Sequence, residues 1–482
     1  MKKKIIIITS IIAVIILIAG GIFAYLNFKP PSPEELSQYE SLIEDGDTLL
    51  EVRKYSEAMD VYNDAAKLIS KDVRAYSKIV DIYLLKNDLQ KALEIAQKAQ
   101  NIVSSSDASL IYVKIANQYF NQEDFTKAKE TYEMAASLAE SPYVNLGLAR
   151  SYVYDGKFDL AKDLLVKEYD NETEDEANLL YAYILGLEDT DKAKKYVEDL
   201  NISDNNEQKL YFDEYLSALN SLDDDVLYNL TKLSRVYVNN GYPTLAIALL
   251  EPESEQIAQY VDALYFLGKA YLDSKDYTQA TEYLLKSAGL LGYETNKYWM
   301  LGRSYYYQND LVNSMKYYDM AVGYAGEDIS RELVEEYLSI LVDSKQTQKS
   351  EEVYTDIVRN VDQEWLYLLG LELFYNANVD AKFDFYLDKL ANMSMNENQT
   401  KEYLFWKIRA SLDESKTEGL QQDLDILYEL DKFNPKYYWV KGLFDQVVSD
   451  NQSAKENFQL ALEYDIDGKV TEEVEDLLAQ IE

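Results

Sequence analysis

Neither cysteine nor histidine occurs in the 482 residues. A chain without thiol or imidazole has no disulfide, no cysteine nucleophile, no Cys/His zinc site and no histidine base, so most hydrolase mechanisms and the usual transition-metal sites are excluded. Cysteine avoidance also suits an extracytoplasmic chain in which no pairing is wanted. Cations are scarce: 47 Lys and Arg stand against 86 Asp and Glu, a formal net charge of −39. So acidic a chain offers no broad basic face for phosphates, which argues against nucleic acid as a partner. Glycine-rich phosphate loops, Gly-x-Ser-x-Gly elbows and Walker motifs are absent. Only 7 prolines interrupt the chain, while Tyr alone supplies 44 residues. Together with sustained apolar periodicity this favours ordered helix, although net charge taken alone would suggest disorder.

The one long uncharged run is Ile5–Phe28. At ~1.5 Å rise per residue such a helix spans a hydrocarbon core of about 30 Å. Lys2, Lys3 and Lys4 precede it and only Lys29 follows closely, which places the N-terminus in the cytoplasm and the rest outside. Two readings are open, an uncleaved signal-anchor and a cleaved signal peptide with Ala19-Gly20-Gly21 or Ala24 as its site. The length of the run favours the anchor. Residues 1–28 are therefore expected to be a cytoplasmic stub and transmembrane helix of a single-pass cell-membrane protein, with a cleaved and secreted form as the alternative. Residues 29–38, with Pro30, Pro31 and Pro33, are expected to be a stiff spacer.

Beyond the spacer the chain repeats itself. Leu264, Leu267, Gly268 and Tyr271 recur 34 positions later as Tyr298, Leu301, Gly302 and Tyr305, and Ala280, Leu284 and Ser287 recur as Ser314, Tyr318 and Ala321. Each half carries apolar residues on one helical face, and a polar turn separates the halves. A helical pair of this kind cannot bury both its apolar faces alone, so neighbours must stack. The spacing resembles the tetratricopeptide repeat (TPR), in which the first helix carries a large apolar residue, Leu, Gly or Ala, and Tyr, and the second carries Ala, an aromatic and Ala. The resemblance implies an all-α, right-handed superhelical solenoid of about twelve helical hairpins behind the transmembrane helix. Copies start at Tyr39, Tyr76, Tyr112 and, behind Pro142, at Leu148. A shortened pair spans 177–200, and an additional helix at 207–219 breaks the alternation, so a kink is expected between Asn201 and Asp225. The array thus divides into 39–202 and 203–469. Weaker copies are placed at Ser350, Ala381 and Leu420, a clear one follows at Tyr438, Gly442, Ala454 and Phe458, and 470–482 is expected to cap the stack.

TPR proteins commonly receive a peptide in the groove lined by their first helices. The position after the small residue of that helix reads Asp47, Asp81, Asn117, Arg150, Arg235, Lys269, Arg303 and Ser339. Four cations at equivalent sites form a candidate ladder for an acidic or carboxylate-ended segment, with Tyr265, Trp299 and Tyr306 as apolar platforms. The competing reading pairs each cation locally, Lys269 with Asp262 or Asp273 for instance. The family's clamp for a C-terminal carboxylate is incomplete, with Val113 and Asn117 in its place. Asp223-Asp224-Asp225 and the run Asp170–Glu176 lack the spaced ligands of a calcium loop and read as solvated turns. No metal, cofactor or catalytic group is expected. The expected function is a membrane-anchored, extracytoplasmic scaffold for protein–protein interaction, not an enzyme; the alternative is a carbohydrate-handling or polysaccharide-export module using the aromatic residues.

Overall fold

The computed structural model describes residues 30–166, 174–200, 202–203, 207–377, 379–466 and 468–481. The expected membrane helix and its leading lysines lie outside these residues, and among the described ones no helix is long and apolar enough to cross a membrane. The described residues form 26 α-helices, three short 3-10 turns and no strand. They fall into two compact units, divided between Ala108 and Ser109.

The first unit holds two hairpins, Pro33–Glu51 with Tyr55–Leu68 and Val73–Leu85 with Leu89–Ala99. The expected spacer gives way here, because Pro33 opens a helix. Proline suits that position, where its missing N–H has no intrahelical acceptor to lose. The Glu35 N–H donates to Ser32 Oγ (3.1 Å) and the Ser32 N–H returns a bond to Glu35 Oε2 (2.7 Å), a complete capping box. Arg74 ties the two hairpins together with a guanidinium fork, 2.8 Å to each oxygen of Glu40.

The second unit is a stack of ten hairpins, interrupted by the single helix Lys209–Asn220 and closed by Thr471–Ile481. One turn chemistry recurs between the two helices of a hairpin. In Val261–Asp273 with Tyr277–Ala288, Lys275 adopts φ 65°, the Asp276 N–H reaches back to the Tyr271 carbonyl (2.9 Å), and the Asp276 side chain accepts from the Gln279 N–H (3.1 Å). The left-handed residue ends one helix in a Schellman motif and the Asp caps the next. The same geometry serves Asn309-Asp310 and Glu123-Asp124, and Gly156 and Gly241 take the left-handed place elsewhere.

Within a hairpin the small residue of the first helix receives an aromatic ring from the second. A methyl on Gly302 would lie 2.6 Å from Cδ2 of Tyr318, and one on Gly442 would lie 2.5 Å from Cε1 of Phe458. The repeat thus sets the interhelical distance by omitting a side chain. Small-residue positions Ala280, Ser314 and Ser350 are fully buried on the second helices. The copy placed at Ala381 is out of register, because Ala381 is exposed and Phe383, at 4% exposure, fills the equivalent place.

No division falls at 203. The core runs through it from Leu146 to Ala270, because the single helix inserts Tyr215 between its neighbours. Its hydroxyl lies 3.2 Å from that of Tyr237, which in turn donates to the Tyr183 carbonyl (3.1 Å). Distant turns also touch: Thr244 Oγ1 donates to the Val153 carbonyl (2.7 Å), Tyr154 Oη donates to the Gly241 carbonyl, and Lys275 Nζ donates to the Glu123 carbonyl (2.9 Å).

Candidate functional site

The candidate ladder sits on the first helices of four hairpins of the second unit, with a further hairpin and the single helix between those of Arg150 and Arg235. Arg150 lies with its guanidinium 4.0 Å over the Phe120 ring and its Nε 3.4 Å from Glu176 Oε1. Lys269 Nζ is 2.6 Å from Asp273 Oδ2, the local pairing open to it from sequence. Arg303 Nε is 3.1 Å from Glu336 Oε1. Arg235 alone of the four is exposed and makes no ion pair among the described residues. Tyr265 is buried and stacks on Tyr293 (4.9 Å, 6°), and burial lifts its phenol to about 12. Tyr306 is half-buried against Tyr307, ring centroids 5.7 Å apart.

Trp299 donates its indole N–H to Glu336 Oε2 (3.3 Å), and Tyr318 Oη donates to the other oxygen of the same carboxylate. Glu336 thereby gathers Arg303, Trp299 and Tyr318 from the preceding hairpin. Nothing in the one-position reading of the repeat singles it out, since it lies 33 residues beyond Arg303. The turn-to-turn bridges at 153–154, 241–244 and 275 leave only a cavity of about 380 Å³ beside Arg150, Tyr154 and Asp273. The Asp223–Asp225 run is a turn and cap, with Asp225 accepting from the Tyr228 N–H (3.0 Å). Among the described residues no group of three or more acidic side chains is placed to hold a metal ion.

A larger cleft, about 640 Å³, opens further along the chain. Its walls are the first helices of four consecutive hairpins, Arg331–Asp343, Glu364–Asn376, Glu397–Asp413 and Pro435–Val447. Three of the four tryptophans, Trp365, Trp406 and Trp439, line it. They alternate with charge at helical spacing: Trp365, Leu369 and Glu372 share one face, as do Glu402, Trp406 and Arg409. That periodic pairing of aromatic and charged residues was available in the sequence.

The polar groups of the cleft differ in how well they are satisfied. Arg331 Nε is 2.7 Å from Glu335 Oε1, and Lys436 Nζ is 2.6 Å from Glu402 Oε2. Arg409 lies 4.4 Å from the Trp439 ring, yet its buried Nε and the buried indole N–H of Trp439 have no acceptor among the described residues. An unmet buried donor of this sort costs about 1–3 kcal/mol. Glu372 opens into the cleft and takes part in no hydrogen bond or ion pair among those of the described residues. Desolvation by the surrounding walls raises its carboxyl above the ordinary range; Lys436 opposes this, and Glu402, Glu335 and Glu473 reinforce it.

A stability consequence follows from that direction. A carboxyl raised in the folded chain contributes its stability below the unfolded carboxyl range and loses it as pH climbs through the folded value. Glu372 is exposed to solvent, which screens its charge, so at neutral pH the carboxylate is only a slight burden. Glu372→Gln should melt about a degree higher than the parent at pH 7 and level with it near pH 4; equal melting at both values would show that the carboxylate carries no such burden.

The fold is that of an all-α repeat protein built from stacked hairpins. Residues 110–142 and 261–290 match the model of the tetratricopeptide repeat family, and the chain carries TPR repeats at those positions. No curated protein matches the chain. Among solved structures it is similar to the APC/C hetero-tetramer Cut9–Hcn1, at 12% identity and a TM-score of 0.34 over 92% of this chain and 96% of that one. It is similar also to Naa15/Naa10 bound to HypK-THB (14%, 0.34, 93% and 96%) and to yeast Tom70 (16%, 0.34, 92% and 94%).

Proposed function

We propose that this chain is a scaffold for protein–protein interaction, held at a membrane by residues 5–28, with its hairpins displayed outside the cytoplasm and no catalytic role. The observation that carries the reading is the cleft walled by first helices of four successive hairpins. Such a surface belongs to no single hairpin and suits an extended partner segment, whose backbone and side chains meet several repeats in turn. The anchored orientation rests on three lysines before the apolar run and one after it. Right-handed stacking of the hairpins belongs to the same proposal.

The three tryptophans of the cleft support a second reading, because indole rings also stack on sugars. A photo-crosslinking residue at Leu368, inside the cleft, separates the two when compared in intact cells with one at the exposed Val312. A protein adduct formed from Leu368 and absent from Val312 is the expected result. Glycan adducts from Leu368 would favour the carbohydrate module, and equal capture from both positions would count against the cleft. Protease added to whole cells should digest the hairpins while sparing a tag placed before Met1; protection of the hairpins would reverse the proposed orientation.

A further inference from the structure

Deepening that reading, we infer that the cleft between Arg331 and Glu473 recognises a lysine or arginine side chain of a protein partner, with Glu372 as the carboxylate that receives the charge and Trp365 with Leu368 and Leu369 as the wall for its aliphatic stem. The inference starts from which charges in the cleft are already spent. Arg331 is paired to Glu335 and Lys436 to Glu402, and Arg409 lies on the Trp439 ring with Asp413 4.0 Å from its Nε. Glu372 has no such partner among the described residues; of the charges that act on it, Lys436 comes first but is paired to Glu402, and Glu402, Glu335 and Glu473 are carboxylates like itself. An anion left open where the lining cations Arg331, Arg409 and Lys436 are engaged elsewhere, two turns along its helix from Trp365, is what a cation with a hydrocarbon stem would complete.

The walls already show that this chemistry works here. The Arg409 guanidinium is held between aromatic faces, 4.4 Å from Trp439 and 5.5 Å from Tyr375. Trp439 is 5% exposed, and its indole N–H has no acceptor among the described residues. The cleft runs along the first helices of four successive hairpins, more than a single amine would fill, which is why the occupant is assigned to a protein segment. The net charge of −39 would steer such a basic segment inward. An acidic segment, the occupant suggested by the Arg150–Arg303 ladder, would bring a second anion to Glu372.

Fluorescence anisotropy with the full chain in detergent micelles tests this, using short labelled peptides that alternate alanine with lysine, with acetyl-lysine or with glutamate. The lysine peptide should bind at least about tenfold more tightly than the other two, and Glu372→Gln should remove about tenfold of that affinity. Trp365→Ala should weaken it comparably. Glu327→Gln, an exposed carboxylate in a turn outside the cleft, should leave it unchanged, which separates seating in the cleft from general attraction to an acidic protein. Equal losses from Glu372→Gln and Glu327→Gln, or no loss from either, would overturn the inference. Should Leu368 crosslink to a protein whose captured segment carries no lysine or arginine, the scaffold reading survives and this inference does not. Absence of any cleft adduct, with no peptide bound, would remove both.

Discussion

Tyr318→Ala is expected to destabilise the second unit by about 3–5 kcal/mol, the usual range for emptying a buried aromatic site. Tyr318 is fully buried, stacks on Tyr337 with centroids 4.8 Å apart, and covers Gly302. It joins a hairpin to the next, so its loss opens a cavity that neither helix can close by shifting alone. Tyr318→Phe keeps the ring and removes only the hydroxyl donated to Glu336. Since Glu336 still faces Arg303 and Trp299, that change should cost about 0.5–1.5 kcal/mol. Urea unfolding followed by far-UV circular dichroism gives the totals, and hydrogen exchange locates the loss in Glu294–Tyr307, Leu311–Ala325 and Arg331–Asp343. Similar costs for the two variants would mean that the hydroxyl, and not the ring, holds the hairpins together.

Gly147→Ala should destabilise by about 1–3 kcal/mol although alanine is the better helix former. The added methyl would fall 2.1 Å from Cε1 of Tyr132, a ring at 0% exposure that has no free volume to retreat into. Gly323 supplies the contrast, since it too is helical but a methyl there meets nothing within 4 Å. Gly323→Ala should therefore gain about 0.5–1 kcal/mol. Combining Gly147→Ala with Tyr132→Ala should cost clearly less than the sum of the two, because the methyl partly refills the space the ring leaves. Strict additivity, or a Gly147→Ala variant more stable than the parent, would show that close approach is not what the glycine provides.

These residues also show what was legible beforehand. The repeat of Gly268 and Gly302, and of Leu284 and Tyr318, already states that a large side chain faces an absent one, so the hairpin and its period follow from the sequence. Local ion pairing was equally accessible, as Lys269 and Asp273 lie one turn apart. Glu336 was not, because its three partners come from another hairpin and depend on the stacking angle. The cleft around Glu372 escaped for a different reason. Its repeats were located through second-helix small residues, and Phe383 occupies such a place, which blurred the register where the first helices carry Trp365, Trp406 and Trp439. The cations from Arg150 to Arg303 drew attention because positive charge is rare in this chain, yet rarity also means that each finds a carboxylate nearby; Arg235 is the exception.

Stacked repeats ordinarily transmit load only to the adjoining unit, so an end can be peeled away while the remainder stays whole. Here Lys275 holds the Glu123 carbonyl across 152 residues, and Thr244 holds Val153 across 91. These latches turn the intervening hairpins into a closed loop in which tension applied at one side is shared by the other. Pulled from its two ends, the chain would yield that stretch in one large step, after the outlying hairpins had already unzipped singly.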